Sequence, residues 1–197
     1  MNLTTKKLAI ALAACSVFTG INVASAAVTK TPVTLNFSGT IKDSTCNLIA
    51  QGSDGSDLTT TGVVFSDIDA VAGGDSKRFK LVTDTTGGCS AVNSGTVEIM
   101  WGGAGLTDKG FTDISGATHA LLQLTPQTEE TGAAPLAADS AVKVNDVIKT
   151  GVNTVSYQPT TDTTEYDYLA SLVKADGEKY FSPGEFTSAV TYTVTYK

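Results

Sequence analysis

The sequence is poor in the side chains that most often carry catalysis. It has one histidine, one tryptophan and three cysteines among 197 residues. A lone imidazole, His119 in THALLQL, rules out a multi-histidine copper-zinc centre. No G-x-S-x-G elbow accompanies it to build a charge relay, so it reads as a structural histidine. Gly103-Ala104-Gly105 begins like a dinucleotide fingerprint, but Asp108 stands where the third glycine belongs and no βαβ pattern surrounds it. Gly74-Asp75-Ser76-Lys77 lacks the spacing of a phosphate loop. Asp54, Asp57, Asp67 and Asp69 miss EF-hand spacing and read as turn carboxylates. Trp101, closing a strand-like run, reads as packing rather than a sugar platform. With the constellations of a hydrolase or metal enzyme missing, the expectation is a protein without catalysis and without a cofactor.

Positive charge is scarce too, and two of the thirteen basic residues, Lys6 and Lys7, sit at the very start. They precede an apolar stretch from Leu8 and then Ala24-Ser25-Ala26, the small-x-small arrangement accepted by signal peptidase. Residues 1–26 are therefore expected to be a cleaved secretory signal, cut between Ala26 and Ala27. Thr19, Gly20 and Asn22 break the apolar run short of a membrane span of ~20 residues. A rival reading is Leu12-Ala13-Ala14-Cys15 as a lipobox, with Cys15 lipidated, although the apolar character continues past it. The remaining 171 residues carry all twenty acidic and eleven basic residues, a formal charge of −9. That balance disfavours nucleic acid and anionic lipid as partners.

Two cysteines, Cys46 and Cys89, remain after the signal. In an exported protein they most simply form a disulfide, worth about 4 kcal/mol on a chain-entropy view. Two free thiols, or metal ligation with His119, are the alternatives.

What the sequence does contain is alternation. TPVTLNFSGTI sets Val33, Leu35, Phe37, Gly39 and Ile41 on one side of an extended chain and Thr34, Asn36, Ser38 and Thr40 on the other. At the far end, Phe186, Ser188, Val190, Tyr192, Val194 and Tyr196 share a face opposite Thr187, Ala189, Thr191, Thr193 and Thr195. Between them, short apolar runs separated by Gly, Ser and Asp clusters predict an all-β sandwich of one domain. Strands are expected over 34–41, 46–50, 62–65, 79–83, 96–101, 119–125, 141–147, 166–174 and 187–196. Residues 127–139, between Pro126 and Ser140, form the longest expected excursion.

The stretch FSGTIKDSTCNL, with Gly39 seven residues before Cys46, together with PGEFTSAVTYTVTYK, with Tyr196 penultimate and Gly184 fourteenth from the end, resembles the pilins of the chaperone-usher pathway of Gram-negative bacteria. The resemblance is good at both ends and in the cysteine framework, and loose in the middle, where 127–139 is longer than in many shaft pilins. It implies an immunoglobulin-like sandwich missing its last strand, completed by a donor strand from a neighbouring subunit. Residues 27–41 would be the donor extension, with Val33, Leu35, Phe37, Gly39 and Ile41 as the donor face, and 42–197 the pilin domain. Gly184, Phe186, Val190, Tyr192, Val194 and Tyr196 would form the acceptor groove and chaperone-binding strand, with the Lys197 carboxylate open to the chaperone. The implied partners are identical or related subunits, a periplasmic chaperone and an outer-membrane usher. The implied place is an adhesive fimbrium at the cell surface, with this chain its major shaft subunit. A minor adaptor subunit and a self-complete secreted or lipidated binding sandwich are the alternatives.

Overall fold

The computed structural model describes residues 33–42, 47–58, 62–65, 68, 74–84, 95–114, 116, 118–128, 133–160 and 165–197. The expected signal segment with its expected cleavage site at Ala26 and Ala27, Cys15, Cys46 and Cys89 lie outside them, as do Asp67 and Asp69.

Among the described residues eleven strands occur in order: β1 (Val33–Lys42), β2 (Leu48–Gly52), β3 (Val63–Phe65), β4 (Ser76–Thr83), β5 (Val97–Gly102), β6 (Leu106–Thr107), β7 (Gly110–Thr112), β8 (Ala120–Pro126), β9 (Thr154–Tyr157), β10 (Glu165–Lys174) and β11 (Thr187–Tyr196). They form two sheets, one ordered β3-β1-β11-β5-β9 and the other β2-β4-β10-β8-β7-β6. Among these strands every pairing is antiparallel except one. The first and last strands, β1 and β11, run parallel and side by side.

The alternation of the sequence explains which faces are buried. Along β11, Ser188, Val190, Tyr192 and Val194 are buried, while Thr191 is exposed. Along β5, Val97, Ile99 and Trp101 point inward and Met100 outward, 48% exposed. An aromatic cluster fills the space between the sheets. Trp101 lies 4.8 Å from Tyr168 and 5.5 Å from Tyr192 between ring centroids, and Phe79 stacks on Tyr168 at 5.5 Å. Trp101 is fully buried, so its role is packing.

Three expectations change. Residues 141–147 form bends rather than a strand, although they alternate. The Asp146 carboxylate accepts from the Lys143 N–H at 3.0 Å, the Asp146 N–H donates back to the Lys143 carbonyl, and Asn145 takes φ +64°, a conformation its short amide tolerates. Strand β9 appears where none was expected. So does the small β6-β7 hairpin, reached from β5 through Gly103. That residue has φ +143° and no room for a Cβ, which would stand 2.3 Å from the Ala189 carbonyl oxygen.

The long excursion docks instead of looping free. Ala134 donates to the Glu165 carbonyl, Ala137 to Ser156, Asn145 to Pro126 and Ile148 to Leu124. Ser140 is buried, and its hydroxyl accepts from the Ser156 N–H at 3.0 Å. Residues 133–150 thus form a strap that takes up the outer backbone of β9 and the far half of β8, burying Ala134, Val142 and Ile148 in the core.

Candidate interaction site: the β1–β11 seam

The expected donor and acceptor segments meet in the structure, within one chain. β1 lies between β11 and β3, with Leu35 opposite Ser188, Phe37 opposite Val190, Gly39 opposite Tyr192 and Ile41 opposite Val194. On its other side Val33 faces Phe65 and Leu35 faces Val63, antiparallel. The resemblance gave this place to a strand from a neighbour. In the single chain the place is filled by the chain's own residues 33–42. A sheet edge backed by buried apolar side chains takes up an amphipathic strand within reach, and here that strand is tethered to the same domain.

Phe37 is the donor-face residue whose side chain is described. It is buried, its ring 4.9 Å from Phe79 and 6.4 Å from Trp101, so it plugs into the central aromatic cluster. Burying a side chain of this size stabilises the seated strand by about 2–3 kcal/mol. Val33, Leu35, Gly39 and Ile41 are placed by register.

On the acceptor side, Val190, Tyr192 and Val194 are buried in β11 and Tyr196 packs half-buried against the core. The Tyr192 hydroxyl donates to the Leu48 carbonyl at 2.7 Å, bridging β11 to β2 in the opposite sheet. Burial pushes the Tyr192 phenol up to about 12, with the nearby Tyr196 phenol adding to the effect. Tyr196 is likewise pushed up to about 12 by burial. Phe186 is buried and precedes β11 by one residue, and Gly184 sits exposed in the bend before it. Lys197 follows β11. It exchanges backbone hydrogen bonds with Thr96 at 2.9 Å in each direction, and its ammonium pairs with Glu98 at 2.7 Å.

Asp113 is a seam residue that sequence reasoning missed. It is buried, and its carboxylate accepts from the Thr118 hydroxyl at 2.8 Å and from the Thr187 N–H at 3.2 Å, fixing the first residue of β11. A single Asp in the stretch TDISG gives no sequence signal for such a role.

The other flagged residues lie apart from the seam. His119 takes φ +51°, and its Nδ1 lies 3.1 Å from the Ser182 hydroxyl and 3.5 Å from a Glu178 carboxylate oxygen. Both contacts converge on one ring nitrogen, whereas a relay needs nucleophile and acid on opposite nitrogens. Asp54 sits in an exposed turn, where the Ser56 hydroxyl and N–H lower its carboxyl below the usual range. That turn borders a cleft of about 320 Å³ lined by Ser53, Asp54, Lys77 and Arg78 over Leu58 and Val63. Among the described residues no aromatic side chain lines it.

Fold and seam together define a class: a two-sheet β-sandwich whose terminal strands pair side by side in parallel, with the first strand's central aromatic residue held in the core. No protein-family model matches the sequence. The chain is 30% identical over 172 residues to the F107 fimbrial protein of Escherichia coli, an alignment spanning 83% of this chain and 85% of that protein. The chain belongs to the fimbrial protein family.

Proposed function

We propose that this chain is the major structural subunit of an adhesive fimbrium, joined to its neighbours by donor-strand exchange, with no catalytic activity and no cofactor. In this reading β1 leaves its own sheet and enters the place beside β11 in the next subunit, which is β-strand addition between chains. The single observation that carries the proposal is the position of β1. It belongs to no hairpin, lies at the chain's N-terminal side, and fills a place whose floor is the Phe79, Trp101 and Tyr192 cluster. A strand so placed can be replaced by an equivalent strand without rearranging the rest of the sheet order.

The family resemblance supplies the remaining parts: a periplasmic chaperone that covers the β11 edge in transit, an outer-membrane usher that exchanges it, and a fibre outside the cell. Cleavage at Ala26 and the Cys46–Cys89 disulfide belong to the same reading. The test is the behaviour of assembled material in detergent. Interchain strand insertion predicts a ladder of subunit multiples on a gel when unheated, collapsing to monomer on boiling, and its loss when residues 27–41 are deleted. A protein without residues 27–41 that still enters polymers as an internal subunit rules the proposal out.

A further inference from the structure

The two sheets differ in where they keep their charge. The strands of the β2-β4-β10-β8-β7-β6 sheet carry Lys77, Arg78, Lys80, Glu165, Asp167 and Lys174. The five strands of the other sheet carry only Lys42 and Glu98. Both stand opposite Thr195 in register, at one end of the sheet, and the Glu98 carboxylate is already paired with the Lys197 ammonium at 2.7 Å. Away from that end these strands have no charged residue. Thr191 and Thr193 of β11 lie opposite Gly102 and Met100 of β5, and Thr154 of β9 stands on the other side of Met100. Met100 is 48% exposed, and Val64, outward on β3, is 49% exposed. Depletion of charge together with an exposed methionine is the composition of an interface core rather than of an ordinary surface.

We infer that this outer face meets the same face of a second copy of the chain, in a two-fold contact centred on Met100, Thr191 and Thr193. Charge selects the occupant. Residues 27–197 carry a formal −9, so two copies repel each other wherever their acidic surfaces meet. The pairing with least repulsion sets the two uncharged sheet faces together, the same patch on both sides. Strand spacings of about 4.8 Å and rises of about 3.3 Å per residue give the face about 500 Å² per copy, hence about 1,000 Å² in the pair, the low end for a specific contact. A free pair is therefore weak. In a fibre the contact repeats with every subunit, and avidity strengthens it. This last step rests on the donor-strand reading, and it fixes which subunits can touch. Subunits along one fibre follow each other head to tail, whereas a two-fold contact joins equals. The face therefore joins separate fibres, side by side.

Sedimentation equilibrium of the purified chain is expected to show a weak dimer that tightens about threefold or more from low to high salt, as screening removes the repulsion between acidic copies. The dimer separates in unheated detergent, which distinguishes it from any strand-inserted species. Met100→Glu and Met100→Lys are both expected to weaken it about tenfold or more, because at a two-fold contact each introduced charge faces its own copy. Thr191→Glu should do the same. Melting temperatures should stay at the parent value, since both side chains are exposed. Opposite effects of Met100→Glu and Met100→Lys overturn the self-contact and assign the face to a partner of one charge. A chain that stays monomeric at both salts overturns it as well. In electron micrographs, fibres of the parent are expected to lie side by side and those of Met100→Glu singly, with the detergent-resistant ladder unchanged. A salt-promoted dimer from a chain that gives no ladder upholds the face and overturns donor-strand exchange. A ladder from parent fibres that stay single upholds exchange and overturns the contact between fibres.

Discussion

On one flank of the sandwich, the edges of β9 and β8 are taken up by residues 133–150 of the same chain, through backbone bonds and the Ser140 hydroxyl. On the other flank the sheets end at β2 and at β3, an edge strand of three residues with Val64 exposed. Exposed sheet edges invite pairing with other chains, and proteins blunt them where pairing is unwanted. The strap blunts one flank, built from continuous chain. The other flank carries β1 just inside its β3 edge, a single strand parallel to β11 that belongs to no hairpin. Under the donor-strand proposal, the difference marks the β1 flank as the one where strand addition would occur: a subunit with both flanks open would branch, and one with both closed would not polymerise.

The largest expected effects break this contrast directly. Phe37→Ala removes the ring that anchors β1 and should cost the monomer about 3–5 kcal/mol; Ile148→Ala on the strap should cost about 2–4 kcal/mol. Chemical denaturation measures both. The flanks part in assembly. Phe37→Ala should also lower the temperature at which the ladder collapses, while Ile148→Ala should leave that temperature unchanged. Equal effects of the two variants on the ladder would mean that the flanks are not distinct in function.

Alkaline titration sharpens the comparison at the level of about 3 kcal/mol. Tyr192, on the open flank, is held by burial at about 12 against an ordinary value of 10.0. Below pH 10 both folded and unfolded chains keep the proton, and the contribution to stability is complete. Between pH 10 and 12 only the unfolded chain releases it, so stability falls as pH rises through that window. On the strapped flank, burial raises the Tyr157 phenol well above its ordinary value, with Tyr168 and Asp167 adding to the effect. Tyr192→Phe and Tyr157→Phe should each flatten the fall, read by denaturant midpoints from pH 9 to 12. An unchanged slope in Tyr192→Phe would show that its phenol is not buried in the folded chain.

The terminal strands were the most legible part of the fold. β11 spans the expected 187–196, and β1 exceeds the expected 34–41 by one residue at each end, because ten-residue strands with one apolar face leave little else to fold into. Strand β9, TVSY, and the β6-β7 hairpin are too short to show a period. Residues 141–147 show the period, but the Lys143–Asp146 turn overrides it. The strap was legible only as an excursion over 127–139 and a strand over 141–147, since its pairing with β8, β9 and β10 is long-range and uses small residues such as Ala134 and Ser140 that carry no pattern. At the seam, the sequence marks both Gly39 and Tyr192 but cannot set them opposite each other. Register does that, and register depends on which strand sits beside β11.

The smallest expected effect concerns the outer faces, which differ as the flanks do. The β11 outer face presents Thr187, Ala189, Thr191, Thr193 and Thr195, with no charge. The β4-β10 outer face carries Lys80 paired with Glu165 at 2.7 Å, at the point where the strap's Ala134 bonds the Glu165 carbonyl. Both side chains keep roughly a fifth to a quarter of their surface in water. A cross-strand pair of that exposure contributes about 0.2–1 kcal/mol, and salt screens it. Lys80→Ala should therefore cost under about 1 kcal/mol at low salt and less at 1 M salt, measured as a difference in denaturant midpoint. A larger, salt-insensitive loss would mean that the pair holds the strap's entry onto β10. The strapped flank would then depend on a side-chain contact as the open flank depends on Phe37, and the contrast between a flank closed by backbone and one whose first strand is anchored by a single ring would narrow.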